Sequence, residues 1–218
     1  MILAIYGTGG SGKELFERIK YVKELDEAWT NIIFIDDTKS EGVFCDCRMM
    51  PFCTFVKEYE ITDVRIAIAV GEPVYREMLY NKVKEEGYIL GTIIDPTAKV
   101  AKSAFIGEGV IIKDDVSISS DAVIKDNVYI NGMAMIGHNA VIGEHSQISS
   151  YSAVAGHAII GKKVFVGIMS CVRDRVNVGE ASIISMGAAV LKDVPEKRIV
   201  MGNPARVIAE NENGLVWG

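Results

Sequence analysis

The sequence predicts a chain in two parts, a small Rossmann-like α/β domain followed by a parallel β-helix wound from hexapeptides. Three observations predict it. Between Ile94 and Val190 every sixth residue is isoleucine or valine, without exception. Two residues before each of these from Val100 onward the side chain is alanine, valine or serine, as at Ala98, Ala104, Val116, Ala134, Ser152 and Ala188. Ahead of the repeat, apolar runs and amphipathic stretches follow the order βαβαβαβ, the pattern of a parallel sheet with helices on both faces.

Residues 2 to 6, Ile-Leu-Ala-Ile-Tyr, read as a buried strand. The turn Gly7-Thr8-Gly9-Gly10-Ser11-Gly12 follows, then an amphipathic helix carrying Leu15, Phe16, Ile19 and Val22. A second strand, Ile32 to Ile35, ends in Asp36-Asp37; a third, Val64 to Val70, ends at Gly71-Glu72-Pro73 and feeds a helix from about Val74 to Glu86. A last strand, Tyr88 to Ile94, is expected to run straight into the repeat. The glycine turn matches G-x-G-x-x-G, in which bare backbone N–H groups approach a diphosphate at a helix N-terminus. It almost fits a Walker A loop through Gly7, Gly12 and Lys13, but Glu14 stands where that loop needs a hydroxyl for magnesium. The domain is about half a full dinucleotide fold, so a mononucleotide-type ligand suits it better. Asp36 could accept hydrogen bonds from ribose hydroxyls or a base; equally, Asp36 and Asp37 could simply end a strand.

Within the repeat, inward and outward side chains alternate, as in a short half-buried strand. A glycine often follows the large aliphatic, at Gly107, Gly137, Gly143, Gly161, Gly167 and Gly179, where a sharp turn is expected to call for positive φ. A six-residue unit cannot bury its apolar face alone, so the units must coil and stack. The pattern resembles the left-handed parallel β-helix of the hexapeptide-repeat acyltransferases, and the hand rests on that resemblance alone. Three hexapeptides then make one triangular coil, residues eighteen apart lie above one another, and Ile106, Ile124, Ile142, Ile160 and Val178 form one buried column. Unbroken phase predicts roughly five coils with no extruded loop.

The net charge of −6 carries no basic concentration, which argues against a nucleic-acid partner. No apolar run reaches membrane-spanning length, and a cytoplasmic protein is expected. Cys45, Cys47, Cys53 and Cys171 lack paired metal-ligand spacing and read as free thiols. His138, His145 and His157 are the only histidines. A β-helical zinc site of the carbonic anhydrase kind has one histidine followed about two coils later by a close pair; here the close pair comes first, so no metal is expected.

The whole chain resembles the sialic-acid O-acetyltransferase-type sugar acyltransferases, in particular the bacterial N-acetyltransferases of nucleotide-linked 4-amino-4,6-dideoxyhexoses. The matching pieces are Tyr6 to Gly12, Phe34-Ile35-Asp36-Asp37, Ile68 to Gly71, Ile94 to Ala98, Ile130-Asn131, Ile136-Gly137-His138, Val154-Ala155-Gly156, Lys192 to Pro195 and Gly202 to Arg206. The resemblance implies a nucleotide-sugar domain over 1–93 and an acyltransferase β-helix over 94–218, assembled as a homotrimer. It makes His138, at a coil corner, the general base, with Asn131 beside it in the acceptor site. Gly7, Gly9, Gly10, Ser11, Asp36, Asp37 and Gly71 would hold the nucleotide-linked amino sugar. Acetyl-CoA would lie between neighbouring β-helices on Gln147, Gly156, Ile168 and Met186, with Asn203, Pro204 and Arg206 closing over it. Histidine suits the base's task, since an unperturbed imidazole, with a pKa of about 6.5, is largely neutral near pH 7 yet basic enough to take a proton; a solvated turn histidine is the alternative.

Two departures stand out. Relatives commonly carry a carboxylate directly after the histidine, where this chain has Asn139, with Asp121 or Glu144 as possible substitutes; and Gln147 stands where histidine is frequent. His157, one coil above Asn139, reads as a polar rung. Cys171 has no neighbouring histidine, so direct transfer is preferred to an acyl-enzyme. O-acetylation of a sugar such as sialic acid, or non-catalytic binding of a nucleotide sugar, are the alternatives to N-acetylation.

Overall fold

The computed structural model describes residues 1–217. The first domain comprises β1 (Ile2–Tyr6), α1 (Gly10–Tyr21), α2 (Lys23–Asp26), β2 (Asn31–Ile35), β3 (Gly42–Phe44), β4 (Cys47–Met50), α3 (Phe52–Glu58), β5 (Val64–Ile68) and α4 (Pro73–Glu85). Its sheet runs β3-β4-β2-β1-β5, parallel except where β3 folds back on β4. Alternation along β1 sorts the core. Ala4 and Tyr6 pack with Phe52, Phe55, Leu79 and Val83 of α3 and α4, while Leu3 and Ile5 pack with Leu15, Ile19 and Leu25 of α1 and α2.

That second face also takes Ile93, Ile111 and Tyr129 from the repeat. The β-helix is therefore a cover of the sheet, not an appended rod.

Two parts of the expected order differ. The hairpin β3–β4, followed by helix α3, adds two strands at the β2 edge, where Met49 and Met50 pair with Phe34 and Ile35. The expected strand from Tyr88 to Ile94 does not form. Leu90 makes a single bridge to Ile66, and the chain crosses at Gly91, where a Cβ would lie 3.1 Å from that of Arg65.

From β6 (Ile93–Ile94) to β22 (Ala189–Val190) the chain forms a two-residue strand every six residues with no break. Every third strand stacks in register, as Ile118 on Ile136, Val154, Val172 and Val190. The predicted column from Ile106 to Val178 is also present. The large and small inward residues form one continuous core.

The glycines after the aliphatics do a different job from the one expected. Positive φ falls two residues later, as at Asn139 and His145, and at the equivalent Asn127, Met133 and His157 of turns without the glycine. Glycine is required for close approach of the next coil. A Cβ at Gly137 would lie 2.5 Å from Gly156 N, and one at Gly143 2.5 Å from the Gly161 carbonyl carbon.

The prism has a docked face and two open ones. Outward residues are buried along most of the docked face, at Ile93, Ile111, Tyr129 and Gln147, and reach their greatest exposure on the others, as at Met135 and Phe105, both 57%. Arg76 of α4 fixes the docking. Its five N–H groups all meet carbonyl oxygens: Nε and Nη2 donate to Asn127 O at 2.9 and 2.8 Å, Nη2 also to Asn127 Oδ1 at 2.6 Å, and Nη1 to Ile68 O and Val70 O at 2.7 and 2.9 Å. Arg18 adds a two-pronged bond to Asp95 at 2.5 and 2.9 Å. After β22, β23 (Arg198–Met201) extends the docked face and β24 (Arg206–Glu210) pairs antiparallel to it.

Candidate active site

A cavity of about 520 Å³ opens at the carboxyl ends of β1, β2 and β5, lined by Tyr6 to Ser11, Asp36 to Thr38, Ala69 to Gly71 and side chains of α4. Two glycines of the turn are demanded by the chain itself. Gly7 has φ +113°, and a Cβ at Gly12 would lie 1.9 Å from Gly7 O, where the turn folds onto α1. Gly9 and Gly10 face open space. No side chain caps α1 at Gly9, so the first N–H groups of the helix stand uncapped beside the cavity, as an anion site requires.

The aspartates hold this cradle together. Asp36 Oδ2 accepts from the N–H (3.2 Å) and hydroxyl of Thr8, and Oδ1 from the N–H (3.0 Å) and hydroxyl (2.6 Å) of Thr38. All four acceptor positions of its carboxylate are used. The ribose hydroxyls expected at Asp36 thus meet a carboxylate already committed to the turn, and the strand-ending alternative describes it better. Asp37 accepts from Tyr6 Oη (2.5 Å), Lys82 Nζ (2.5 Å) and Phe52 N (2.9 Å), which leaves one position open. Burial alone would raise both carboxyls, but these hydrogen bonds outweigh it and hold them below the usual range. Burial and Asp37 push the Tyr6 phenol up, so it stays a donor. Lys39, which sequence reasoning passed over, brings its ammonium 2.6 Å from Thr8 Oγ1 and adds positive charge.

At the corner between the two open faces, His138 follows β13 (Met135–Ile136) and Gly156 follows β16 (Ala153–Val154) one coil above. A Cβ at Gly156 would lie 2.8 Å from His138 Nε2. Nδ1 of the imidazole is 3.1 Å from Asn139 Oδ1. With a carbonyl as its partner Nδ1 carries the proton, and Nε2 is left with the lone pair. Neither Asp121 nor Glu144 supplies the missing carboxylate, Glu144 being paired with Lys125 at 3.1 Å. His157 is more than a rung, since its ring meets that of His138 edge-on with centroids 5.0 Å apart. The Gly156 N–H has no acceptor among the described residues.

The other expected residues are dispersed. Asn131 lies at the other end of the β13 side of the coil, between the docked and second faces, so a single chain does not bring it to His138. Ile168 and Met186 share that corner, joined by Gly187 N donating to Ile168 O at 2.9 Å, and are exposed. Gln147, expected with them, is buried in the docked seam, its Oε1 2.9 Å from the Cβ position of Gly71. Asn203, Pro204 and Arg206 are exposed around the last strand pair. His145 serves docking: Asn127 Nδ2 lies 3.0 Å from its Nδ1, and the Tyr80 ring stands edge-on at 4.9 Å. Among the described residues no three His, Cys, Asp or Glu gather as metal ligands.

Residues 2–83 match the family model of the PglD N-terminal domain. Residues 89–199 match that of the GMPPB C-terminal domain and belong to that domain family. The acetyltransferase domain of PglB from Neisseria gonorrhoeae FA1090 is similar with a TM-score of 0.87 at 26% identity, over 95% of this chain and 99% of its own. The chain belongs to the hexapeptide-repeat sugar acyltransferases. The coils of this acyltransferase accordingly wind left-handed. PerB from Caulobacter crescentus, in complex with CoA and GDP-perosamine, is similar with a TM-score of 0.87 at 26% identity, over 96% of this chain and 98% of its own. A second PglB structure contains acetyl coenzyme A. The acetyltransferase-named protein C18B11.09c of Schizosaccharomyces pombe is 40% identical over 50 residues, which span only 24% of its length.

Proposed function

We propose that this acyltransferase is an acetyl-CoA-dependent N-acetyltransferase of a nucleotide-linked 4-amino-4,6-dideoxy sugar. The observation that carries the reading is the His138 corner, an imidazole whose Nδ1 is fixed by Asn139 and whose Nε2 is presented beside a free backbone N–H. PerB, with GDP-perosamine and CoA, supports the substrate class.

Nε2 takes the proton as the sugar amine attacks the thioester carbonyl carbon. The Gly156 N–H donates to the oxygen that becomes negative, a role worth roughly 3 kcal/mol in comparable oxyanion sites. The carbon–sulfur bond then breaks, the acetyl group remains as an amide, and the departing thiolate is reprotonated. His138 holds the proton for that step. Nothing in the corner acts as an acyl carrier, so transfer is direct.

Gly7, Gly9, Gly10, Ser11 and Gly71 cradle the nucleotide sugar, with Asp36 and Asp37 shaping the cradle, while Ile168, Met186 and the tail through Asn203, Pro204 and Arg206 line the path of acetyl-CoA. The cradle lies against the docked face and His138 on the far corner, so the site is completed by a neighbouring copy, in a homotrimer. The open-face column Phe105, Val123, Val141 and Ile159 supports such an assembly. The cytoplasm, where acetyl-CoA is made, is the place of action; no helix among the described residues is long and apolar enough to cross a membrane.

The test is thiol release from acetyl-CoA with GDP-, UDP- and dTDP-linked 4-amino-4,6-dideoxyhexoses. One of them should support turnover, and His138→Ala should lower kcat by orders of magnitude while acetyl-CoA still binds. Near-normal turnover in the variant removes His138 from the reaction.

A further inference from the structure

The end of the chain returns to the nucleotide cradle. Beyond β24, Asn211 Nδ2 donates to Ala181 O at 2.9 Å, and the chain then passes over the start of α4. There the N–H of Val216 reaches both carboxylate oxygens of Glu72 at 3.0 Å, and the N–H of Trp217 reaches Oε2 at 3.2 Å. Glu72 is only 5% exposed. A buried carboxylate bonded to two successive N–H groups is a firm anchor.

What the anchor presents is an indole. The Trp217 ring meets Phe165 edge-on at 5.2 Å, and its Cη2 lies 3.4 Å from the Cβ position of Gly71. Even so, Trp217 is 64% exposed. A large aromatic fixed through its backbone yet left open offers a contact surface in place of core burial. At the same glycine lies Gln147 Oε1, buried and without a hydrogen-bond donor. Buried acceptors of that kind normally have a partner.

Both groups meet at Gly71, the residue that bounds one end of the cavity. Asp36 to Thr38 close its β2 end, the glycine turn forms its middle, and Gly71 closes its β5 end. A nucleoside diphosphate with its phosphates on the turn and its nucleoside toward β2 directs whatever it carries toward Gly71.

We propose that Trp217 and Gln147 form the hexose subsite, in which the indole packs on the apolar C–H edge of the sugar and Oε1 accepts a hydrogen bond from a sugar N–H or O–H. The inference rests on the reading of the cradle as a nucleotide-sugar site. It makes the C-terminal tail a determinant of specificity, and it moves Gln147 from the thioester side to the acceptor side.

The experiment compares GDP, UDP and dTDP with their 4-amino-4,6-dideoxyhexose conjugates by calorimetry. Trp217→Ala should weaken the conjugate that wild type binds by about tenfold or more while the matching free diphosphate changes by less than about twofold. Trp217→Phe should restore most of the loss, and Gln147→Leu should weaken the conjugate selectively as well. If the tryptophan variant binds the conjugate like wild type, or loses diphosphate and conjugate in parallel, the subsite is overturned and the nucleotide cradle stands. If wild type binds none of the diphosphates or conjugates, both readings fall.

Discussion

Gly156 lies directly on the imidazole of His138, so that a single added methyl would stand 2.8 Å from Nε2 and 2.9 Å from Cε1. The φ of Gly156 lies outside the positive range, so alanine is conformationally acceptable there. His138 is exposed, and its ring can swing away at little cost to folding. Gly156→Ala should therefore leave Tm nearly unchanged and lower kcat by about tenfold or more, because the base is displaced and the path to the Gly156 N–H is blocked. Paired measurement of melting and turnover checks it; a variant with full activity would show that the methyl side of the ring is not where the thioester lies.

Asn139 fixes the Nδ1 proton of His138 without contributing charge, its Oδ1 standing 3.1 Å from the ring nitrogen. Asn139→Asp keeps the acceptor and adds a negative charge beside the imidazole, which favours the imidazolium. Asn139 has φ +58°, a conformation aspartate also tolerates. The acid limb of the kcat/KM profile should move to higher pH in the variant, and turnover above that limb should rise. Superimposable profiles would separate Asn139 from the base.

How much of this was legible in the sequence depends on whether the information was periodic. The coil register was readable because each inward position repeats every sixth residue and the core demands it. The hairpin β3–β4 was not, because its two-residue turn is Cys45-Asp46, both at positive φ, where asparagine and glycine are the usual signal. The glycine turn announced a cradle, yet the saturation of Asp36 by Thr8 and Thr38 is a tertiary fact. His138 and Gly156 could be placed one coil apart by counting eighteen residues. The Trp217 anchor could not, since Glu72 lies 145 residues away in the chain and no local pattern connects them.

Arg76 was equally silent in the sequence, where it reads as one more charge on an amphipathic helix. It is completely buried, faces the Tyr129 ring at 5.3 Å, and has no carboxylate partner. Burial pulls its pKa down to about 9, still far enough above neutral for the guanidinium to stay charged. The stabilisation comes from five hydrogen bonds to carbonyl oxygens on both domains. Arg76→Met leaves Ile68, Val70 and Asn127 oxygens buried without donors, at about 1–3 kcal/mol each. Unfolding should then occur roughly 10 °C lower. Arg76→Lys should recover less than half, since one ammonium cannot span the same oxygens. A melting point within a degree or two of wild type in the methionine variant would mean that the seam does not depend on this fork.

His145 makes the seam sensitive to pH. Desolvation is the main reason its pKa falls from 6.5 to about 4, with Lys162 and Arg76 pushing the same way and Glu77 and Glu144 opposing. The folded chain holds it neutral, its Nδ1 accepting from Asn127. In the unfolded chain it takes a proton near pH 6.5. Between these values the unfolded state binds the extra proton, so stability rises with pH across that window. The contribution is complete above about pH 6.5, declines as pH falls toward 4, and is fully lost below. Asp36 and Asp37, with depressed values, act in the same direction but only at lower pH. His145→Gln retains an acceptor for Asn127 and cannot titrate in this range. Urea midpoints measured from pH 4 to pH 8 should therefore fall more steeply on the acid side for wild type than for His145→Gln, with the two curves parallel above pH 7. Curves that stay parallel down to pH 4 would show that His145 gains its proton in the folded chain as readily as in the unfolded one, and that its burial against Tyr80 in the seam does not hold it neutral.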